Sequence, residues 1–358
     1  MICGHCFTRE HIEEQGKGLG MGKYVQLEKC INALQLLGNL AETDLSFMFK
    51  GGTSLLLHLK GIKRLSIDID IMCASDQAVL EQVIEQISAL HPFTRWEENK
   101  RGERGLPARR HFKFFYPSVI TNEENHVLLD VVMEPDLHLS SEQKPIRAEF
   151  IEVDREVLVT VPTVDALIGD KLTAFAPNTI GVPYRSPTDR SMAMQIIKQL
   201  FDVGELFSRI QSLENLKTAY EESYRLEAGY RQSDFSLADA LADSRATALQ
   251  LCCNGLDFAG QDEEVVRRLK SGIRKLRDHL VRDPFTAENE VVVAAAKVIL
   301  LSRIIEGSVD VSQEQLSFNL VAHRDFILSS TIPEPECLND LKMILPEAFY
   351  YLALAFGG

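Results

Sequence analysis

The chain has 358 residues, 45% of them hydrophobic, and carries 52 acidic against 38 basic side chains for a formal net charge of −14. That length and apolar content support two folded domains with buried cores and exclude a disordered chain. The acidity excludes a protein that coats DNA by neutralising phosphates broadly. No apolar run reaches the roughly 18 residues of a membrane span. The polar start MICGHCFTREHIEEQ also lacks the apolar core of a signal peptide, so a cytoplasmic protein without a membrane partner is expected. The seven cysteines follow no framework spacing and read as reduced thiols. Cys3 and Cys6 form C-G-H-C, but no second CxxC completes a zinc site, and they are read as two free thiols.

In chain order, YVQLEKCINALQLLGNL (24–40) repeats apolar residues at helical spacing. Apolar LSFMF then meets Gly51 and Gly52, where a short strand turns into a helix, TSLLLHLK, ended by Gly61. LSIDIDIM alternates as a half-buried strand does, with Leu65, Ile67, Ile69 and Ile71 on one face and Ser66, Asp68 and Asp70 on the other. A helix over DQAVLEQVIEQISAL and two strands, HFKFFYP and HVLLDVVME, follow. From TVDALIGDKLTAFA onward the pattern is mostly helical, interrupted by the loop PNTIGVPYRSPTDRS. The expected class is α+β: a core over residues 1–160 with a mixed sheet and flanking helices, then a mostly helical domain over 161–358.

Desolvating an unpaired carboxylate is costly, so two aspartates in an isoleucine-rich strand call for a cation. Their Cα atoms lie about 6.5–7 Å apart on one face, and Asp130, alone among the aliphatics of LLDVV, is the candidate third ligand. Carboxylate oxygens suit Mg²⁺, which binds through few protein carboxylates and the phosphates of its substrate. Backbone N–H groups following the glycine pair, with the Thr53 or Ser54 hydroxyl, form an anion site of the kind that holds phosphates. Acids and glycine turn together point to a metal-bound nucleoside triphosphate. The plainer readings are an acidic solvent face on an edge strand for Asp68 and Asp70, and local pairing for Asp130.

The order glycine pair, hydroxyl residue, D-x-D and later lone acid resembles the polymerase-β-like nucleotidyltransferases. More narrowly, FKGGTSL followed by RLSIDID is similar to the AbiEii-type nucleotidyltransferase toxins, with Phe49, Lys50, Gly51, Gly52, Thr53, Leu55, Arg64, Ser66, Asp68 and Asp70 matching F-K-G-G-T-x-L and R-x-S-x-D-x-D. The family's helix lysine matches Lys171 in GDKLTAFA, and its K-D-x-x-D-L motif matches Lys198 and Asp202 in IKQLFDVGELF, with Gln199 in place of the first acid. The resemblance covers about residues 24–207. It implies a polymerase-β-like core, Mg²⁺ on Asp68, Asp70 and Asp130, and phosphates held by the Gly51, Gly52, Thr53 and Ser54 turn. It further implies charge neutralisation by Lys171, with Asp202 positioning the acceptor or Lys171. The activity it implies is transfer of a nucleoside monophosphate from an NTP to the 3′ end of tRNA. The protein would then be the toxin of a toxin–antitoxin, or abortive-infection phage-defence, pair, with an antitoxin encoded nearby. A small-molecule or protein acceptor, and a catalytically silent nucleotide- or partner-binding module, are the alternatives.

Two basic clusters bear on the acceptor. Arg95, Lys100, Arg101, Arg104, Arg109, Arg110 and Lys113 lie beside Phe112, Phe114 and Phe115, as a nucleic-acid contact requires, and equally as a hydrated loop leading into a core strand does. In VVRRLKSGIRKLRDHLVR, the apolar stripe Val266, Leu269, Ile273, Leu276 and Leu280 neighbours a basic stripe of Arg267, Lys270, Arg274 and Arg277. That stripe reads as a solvated helix face or as an RNA backbone track.

Overall fold

The computed structural model describes residues 1–358 apart from 21, 60, 62, 100–106, 135, 137, 138, 278, 282–288 and 358. Lys100, Arg101 and Arg104 of the first basic cluster therefore lie outside the described residues. The chain packs as two compact units, Met1–Thr163 with His279–Asp283, and Val164–Asp278 with Pro284–Gly358. The architecture is the expected α+β.

In the first unit, helices α1 (Arg9–Gly18) and α2 (Tyr24–Ala41) precede strand β1 (Phe47–Lys50). A single helical turn, α3 (Gly51–Ser54), leads to β2 (Asp68–Cys73) and α4 (Gln77–Ser88). Strands β3 (Arg95–Glu98), β4 (Arg109–Pro117) and β5 (Glu124–Met133) complete a five-stranded sheet in the order β1-β2-β5-β4-β3. Strands β2 and β5 run parallel and the other pairs antiparallel. A separate hairpin pairs β6 (Ser141–Pro145) with β7 (Leu158–Pro162).

Alternation sorts the sheet into two faces. Phe49, Ile69, Ile71, Leu129, Phe112 and Phe114 are fully buried and join one core with Leu27, Ile31 and Leu34 of α2 and Leu80, Ile84 and Ile87 of α4. Each such side chain contributes about 1.5–3 kcal/mol on burial. The α4 helix starts where Asp76 accepts the Val79 N–H at 2.9 Å, an N-cap. The opposite face carries Lys50, Asp68, Asp70, Asp130 and His111, fixed there by register.

Three elements depart from the sequence expectation. The helix expected over TSLLLHLK is the α3 turn followed by a 3-10 turn, Leu55–Leu57, because a segment this short cannot offset helix nucleation and tightens instead. Strand β2 begins only at Asp68; Leu65 donates its N–H to the His279 carbonyl at 3.2 Å and Arg64 bridges to Leu280, so this stretch pairs away from the sheet. Arg95–Glu98, read as part of a basic loop, is an edge strand whose alternating charges suit an exposed sheet edge.

The second unit is helical among the described residues: α5 (Val164–Ala174), α6 (Ala193–Leu206), α7 (Leu213–Arg231), α8 (Leu237–Cys252), α9 (Glu263–Arg277), α10 (Glu290–Glu306), α11 (Arg324–Ser329), α12 (Leu341–Ile344) and α13 (Pro346–Phe356). Helix α10 is apolar on all sides, and Val291, Ala295, Val298, Leu300 and Leu301 are fully buried, as expected of a central helix. The α9 stripe of Val266, Leu269, Ile273 and Leu276 is buried as its periodicity predicted. Gly272 allows α9 to approach α6 closely: a Cβ there would sit 2.5 Å from the Ala193 carbonyl oxygen. No helix among the described residues is long and apolar enough to cross a membrane.

Candidate active site

One row of residues runs straight across four strands. Lys50 of β1 is the register partner of Asp70 on β2, Asp70 of Asp130 on β5, and Asp130 of His111 on β4. Register partners share a face, and neighbouring strands lie about 4.8 Å apart, so Asp70 and Asp130 stand side by side with Asp68 two residues earlier on the same face. Hydrophobic alternation on each strand dictates this, since a shift by one residue would bury the acids and expose Ile69, Ile71 and Leu129.

The glycine turn is built against that row. Gly51 has φ +78°, a left-handed conformation that glycine adopts without steric penalty. A Cβ on Gly51 would lie 2.0 Å from Asp70 Oδ2 and 2.7 Å from its Cγ, so the carboxylate occupies the space a side chain would need. Gly52 does the same for Arg64, whose Nη2 would lie 2.4 Å from a Cβ there. The Thr53 hydroxyl donates to the Asp68 carbonyl at 2.5 Å and the Ser54 hydroxyl to the Gly51 carbonyl at 2.8 Å, and both side chains are buried. These bonds lock the turn to β2, so the two hydroxyls, expected at the phosphates, here hold the turn's shape.

His111 Nδ1 lies 2.6 Å from Asp130 Oδ1 and fixes that carboxylate's orientation. Burial pulls Lys29 of α2 below its ordinary pKa range, and the charges of Asp68 and then Glu28 offset this in part. His126, on the acid face of β5, is also lowered, by burial first and then by Lys29 and Lys113. Neither His111 nor Lys29 stood out in the sequence. His111 hides among the basic and aromatic residues of RRHFKFFYP, and only the β4–β5 register brings it to Asp130.

Arg109 and Arg110, grouped by the sequence as possible RNA contacts, separate. Arg109 shares the His111 face of β4 and is exposed. Arg110 lies on the other face, where its Nε contacts Glu98 at 2.7 Å and its Nη1 contacts Glu81 at 2.8 Å. Those hydrogen bonds, Glu98 first, raise its pKa, and Arg110 ties β3 and α4 to the sheet rather than standing open to RNA.

Lys171 and Asp202 belong to the helical unit and pair there, with Nζ 3.5 Å from Oδ2 and both side chains buried. On α9, Arg267, Lys270, Arg274 and Arg277 line a cleft of about 850 Å³ together with Asp257, Phe258 and Gln261. Arg267 and Arg268 both bond Glu264.

Fold and site together define an α+β chain with an acidic face on a mixed sheet and a glycine turn moulded around it. The family model "Nucleotidyl transferase AbiEii toxin, Type IV TA system" matches residues 35–252, more than half of the chain, and the protein belongs to that family. That family is one of nucleotidyltransferase toxins of type IV toxin–antitoxin systems, and membership implies a cognate antitoxin. The crystal structure of JHP933 from Helicobacter pylori is 16% identical, covers 78% of this chain and 95% of its own, and superposes with TM-score 0.43. A candidate nucleotidyltransferase from H. pylori is 16% identical, with 82% and 99% covered and TM-score 0.41. No curated protein matches the chain.

Proposed function

We propose that the protein transfers a nucleoside monophosphate from an NTP to the 3′ end of tRNA, and that this arrests growth, in the manner of an abortive response to phage. The observation that carries the chemistry is the in-register row Lys50–Asp70–Asp130–His111, with Asp68 beside it and Gly51 packed against Asp70. Three carboxylates on one face form the all-oxygen donor set a hard cation takes, so Asp68, Asp70 and Asp130 fit Mg²⁺. Bound there, Mg²⁺ supplies charge neutralisation on the triphosphate and acidifies the acceptor hydroxyl.

The acceptor oxygen attacks the α-phosphorus, the bond from that phosphorus to the β-phosphate bridging oxygen breaks, and pyrophosphate leaves with the electron pair. Asp130, oriented by His111, takes the hydroxyl proton. Lys50, next to Asp70 in register, adds positive charge beside the phosphates. Backbone N–H groups of the Gly51–Gly52 turn supply hydrogen bonds to phosphate oxygens, and the buried Thr53 and Ser54 hydroxyls keep that turn rigid. For Lys171 and Asp202, neutralising leaving-group charge and positioning Lys171 are roles the family resemblance supports.

The basic face of α9 and its cleft support RNA as the acceptor class, because a stripe of four cations in a chain of net charge −14 concentrates the attraction for a phosphate backbone. Incubation with Mg²⁺, total tRNA and each α-labelled NTP in turn tests the acceptor. Label in tRNA is the expected result; label confined to protein or small molecules would overturn the tRNA assignment while keeping the transfer chemistry.

A further inference from the structure

Far from the acid face in sequence, the chain's first residues gather a second set of metal-type donors. Cys6 lies in a 3-10 turn, Gly4–Phe7, and is fully buried; His5 precedes it and His11 follows on the first turn of α1. One donor atom from each of His5, Cys6 and His11 lies within 4.8 Å of the other two. Glu152 lies beside the group, its Oε2 3.4 Å from His5 Nε2.

We propose that His5, Cys6 and His11 form a Zn²⁺ site, with Glu152 beside it, that staples the start of the chain to the segment around Phe150–Asp154. The two distances from His5 match edges of a tetrahedron around one ion. With usual zinc bond lengths, the nitrogen-to-sulfur edge is about 3.6 Å and the nitrogen-to-oxygen edge about 3.4 Å. His5 Nε2 lies 3.7 Å from Cys6 Sγ and 3.4 Å from Glu152 Oε2. The surrounding bonds prepare the ligands as well. His11 Nε2 is 3.0 Å from the Phe150 carbonyl, an arrangement in which Nε2 donates and Nδ1 keeps its lone pair for a metal. The Glu152 N–H donates to Cys6 Sγ at 3.3 Å, which stabilises a thiolate. One sulfur and two imidazoles suit Zn²⁺ better than Mg²⁺ or Ca²⁺.

Three protein donors leave a fourth position for water or for a carboxylate such as Glu152. Backbone contacts already run along the same seam, with an isolated bridge between Ile2 and Val153 and the Cys3 N–H donating to the Glu152 carbonyl at 2.8 Å. An ordinary cysteine is mostly thiol at neutral pH. Binding Zn²⁺ therefore forms a sulfur–zinc bond and releases one proton to solvent.

The test uses the purified full chain, stripped with chelator and titrated with Zn²⁺ or Co²⁺. Expected are about one Zn²⁺ per chain, one proton released, a thiolate-to-cobalt charge-transfer band, and a melting temperature raised by Zn²⁺. His5→Ala, at an exposed position that does not threaten folding, weakens binding by about a hundredfold and abolishes the thermal shift; Cys6→Ser removes the charge-transfer band. Cys3→Ser leaves binding intact. Wild-type protein that takes up no stoichiometric Zn²⁺ and shows no charge-transfer band overturns the site, and loss of binding in Cys3→Ser overturns the His5, Cys6 and His11 ligand set. None of these readouts depends on nucleotidyl transfer.

Discussion

Gly51→Ala is the sharpest probe of the proposed site, because it changes no charge and removes no ligand. Two effects follow from the structure. At φ +78° an alanine is strained by roughly 1–2 kcal/mol. Its Cβ would also sit 2.0 Å from Asp70 Oδ2, with Asp70 Cγ at 2.7 Å and Cβ at 2.9 Å. Real contacts require about 1 Å more separation from that oxygen, and because the whole Asp70 side chain is in the way, a rotamer change of the carboxylate alone does not relieve the clash. A misplacement of about 1 Å at a reacting centre can lower a rate by about 10²-fold, so nucleotidyl transfer should fall by that order. The unfolding free energy should fall by about 2–5 kcal/mol, from backbone strain and overpacking together. Gly52→Ala, which meets the end of the Arg64 guanidinium and carries no positive φ, should lose less activity. The assay is transfer of label from α-labelled NTP, with urea unfolding on the same preparations. A Gly51→Ala protein with wild-type transfer would refute the claim that the glycine turn and Asp70 form one site.

Other perturbations test separate parts of the account. Lys171→Met leaves Asp202 buried without its lysine and should destabilise the protein by about 3 kcal/mol in urea unfolding; Lys171→Met with Asp202→Leu should recover much of that. His111→Phe removes the 2.6 Å contact to Asp130 and should slow transfer by about 10–100-fold with an unchanged circular dichroism spectrum; wild-type rates would show that Asp130 is positioned by other means. The triple variant Arg267→Ala, Lys270→Ala, Arg274→Ala should weaken tRNA binding and flatten its salt dependence by about two units of the log–log slope, while an unchanged slope would place the RNA elsewhere.

Much of the first unit was legible because its signals are local. Period-two alternation in LSIDIDIM named the core face and the acid face before any pairing was known, and Asp76 with the apolar spacing after it marked α4. The Asp70–Asp130 adjacency was expected as chemistry, a third acid on a neighbouring strand, but its register depends on a parallel pairing between segments sixty residues apart, which no local pattern encodes. His111 was hidden for the same reason. Arg110 shows the converse: its composition suggested a phosphate contact, and alternation turned it to the opposite face against Glu98 and Glu81. The Thr53 and Ser54 hydroxyls were read as ligands because their type fits phosphate, whereas the tight turn directs them to backbone carbonyls. Cys3 and Cys6 were read as two free thiols because no second CxxC follows, and the grouping of Cys6 with His5 and His11 appears only in the fold.

The central claim, that the acid face performs nucleotidyl transfer, is tested most directly by comparing wild type with Asp68→Asn, Asp70→Asn and Asp130→Asn. Each variant is incubated with Mg²⁺, total tRNA and α-labelled NTP, with matched circular dichroism spectra. The account predicts label transfer by wild type and a loss of about 10³-fold or more for Asp68→Asn and Asp70→Asn, with a smaller loss for Asp130→Asn. Transfer that survives neutralisation of both Asp68 and Asp70 in folded protein would contradict it.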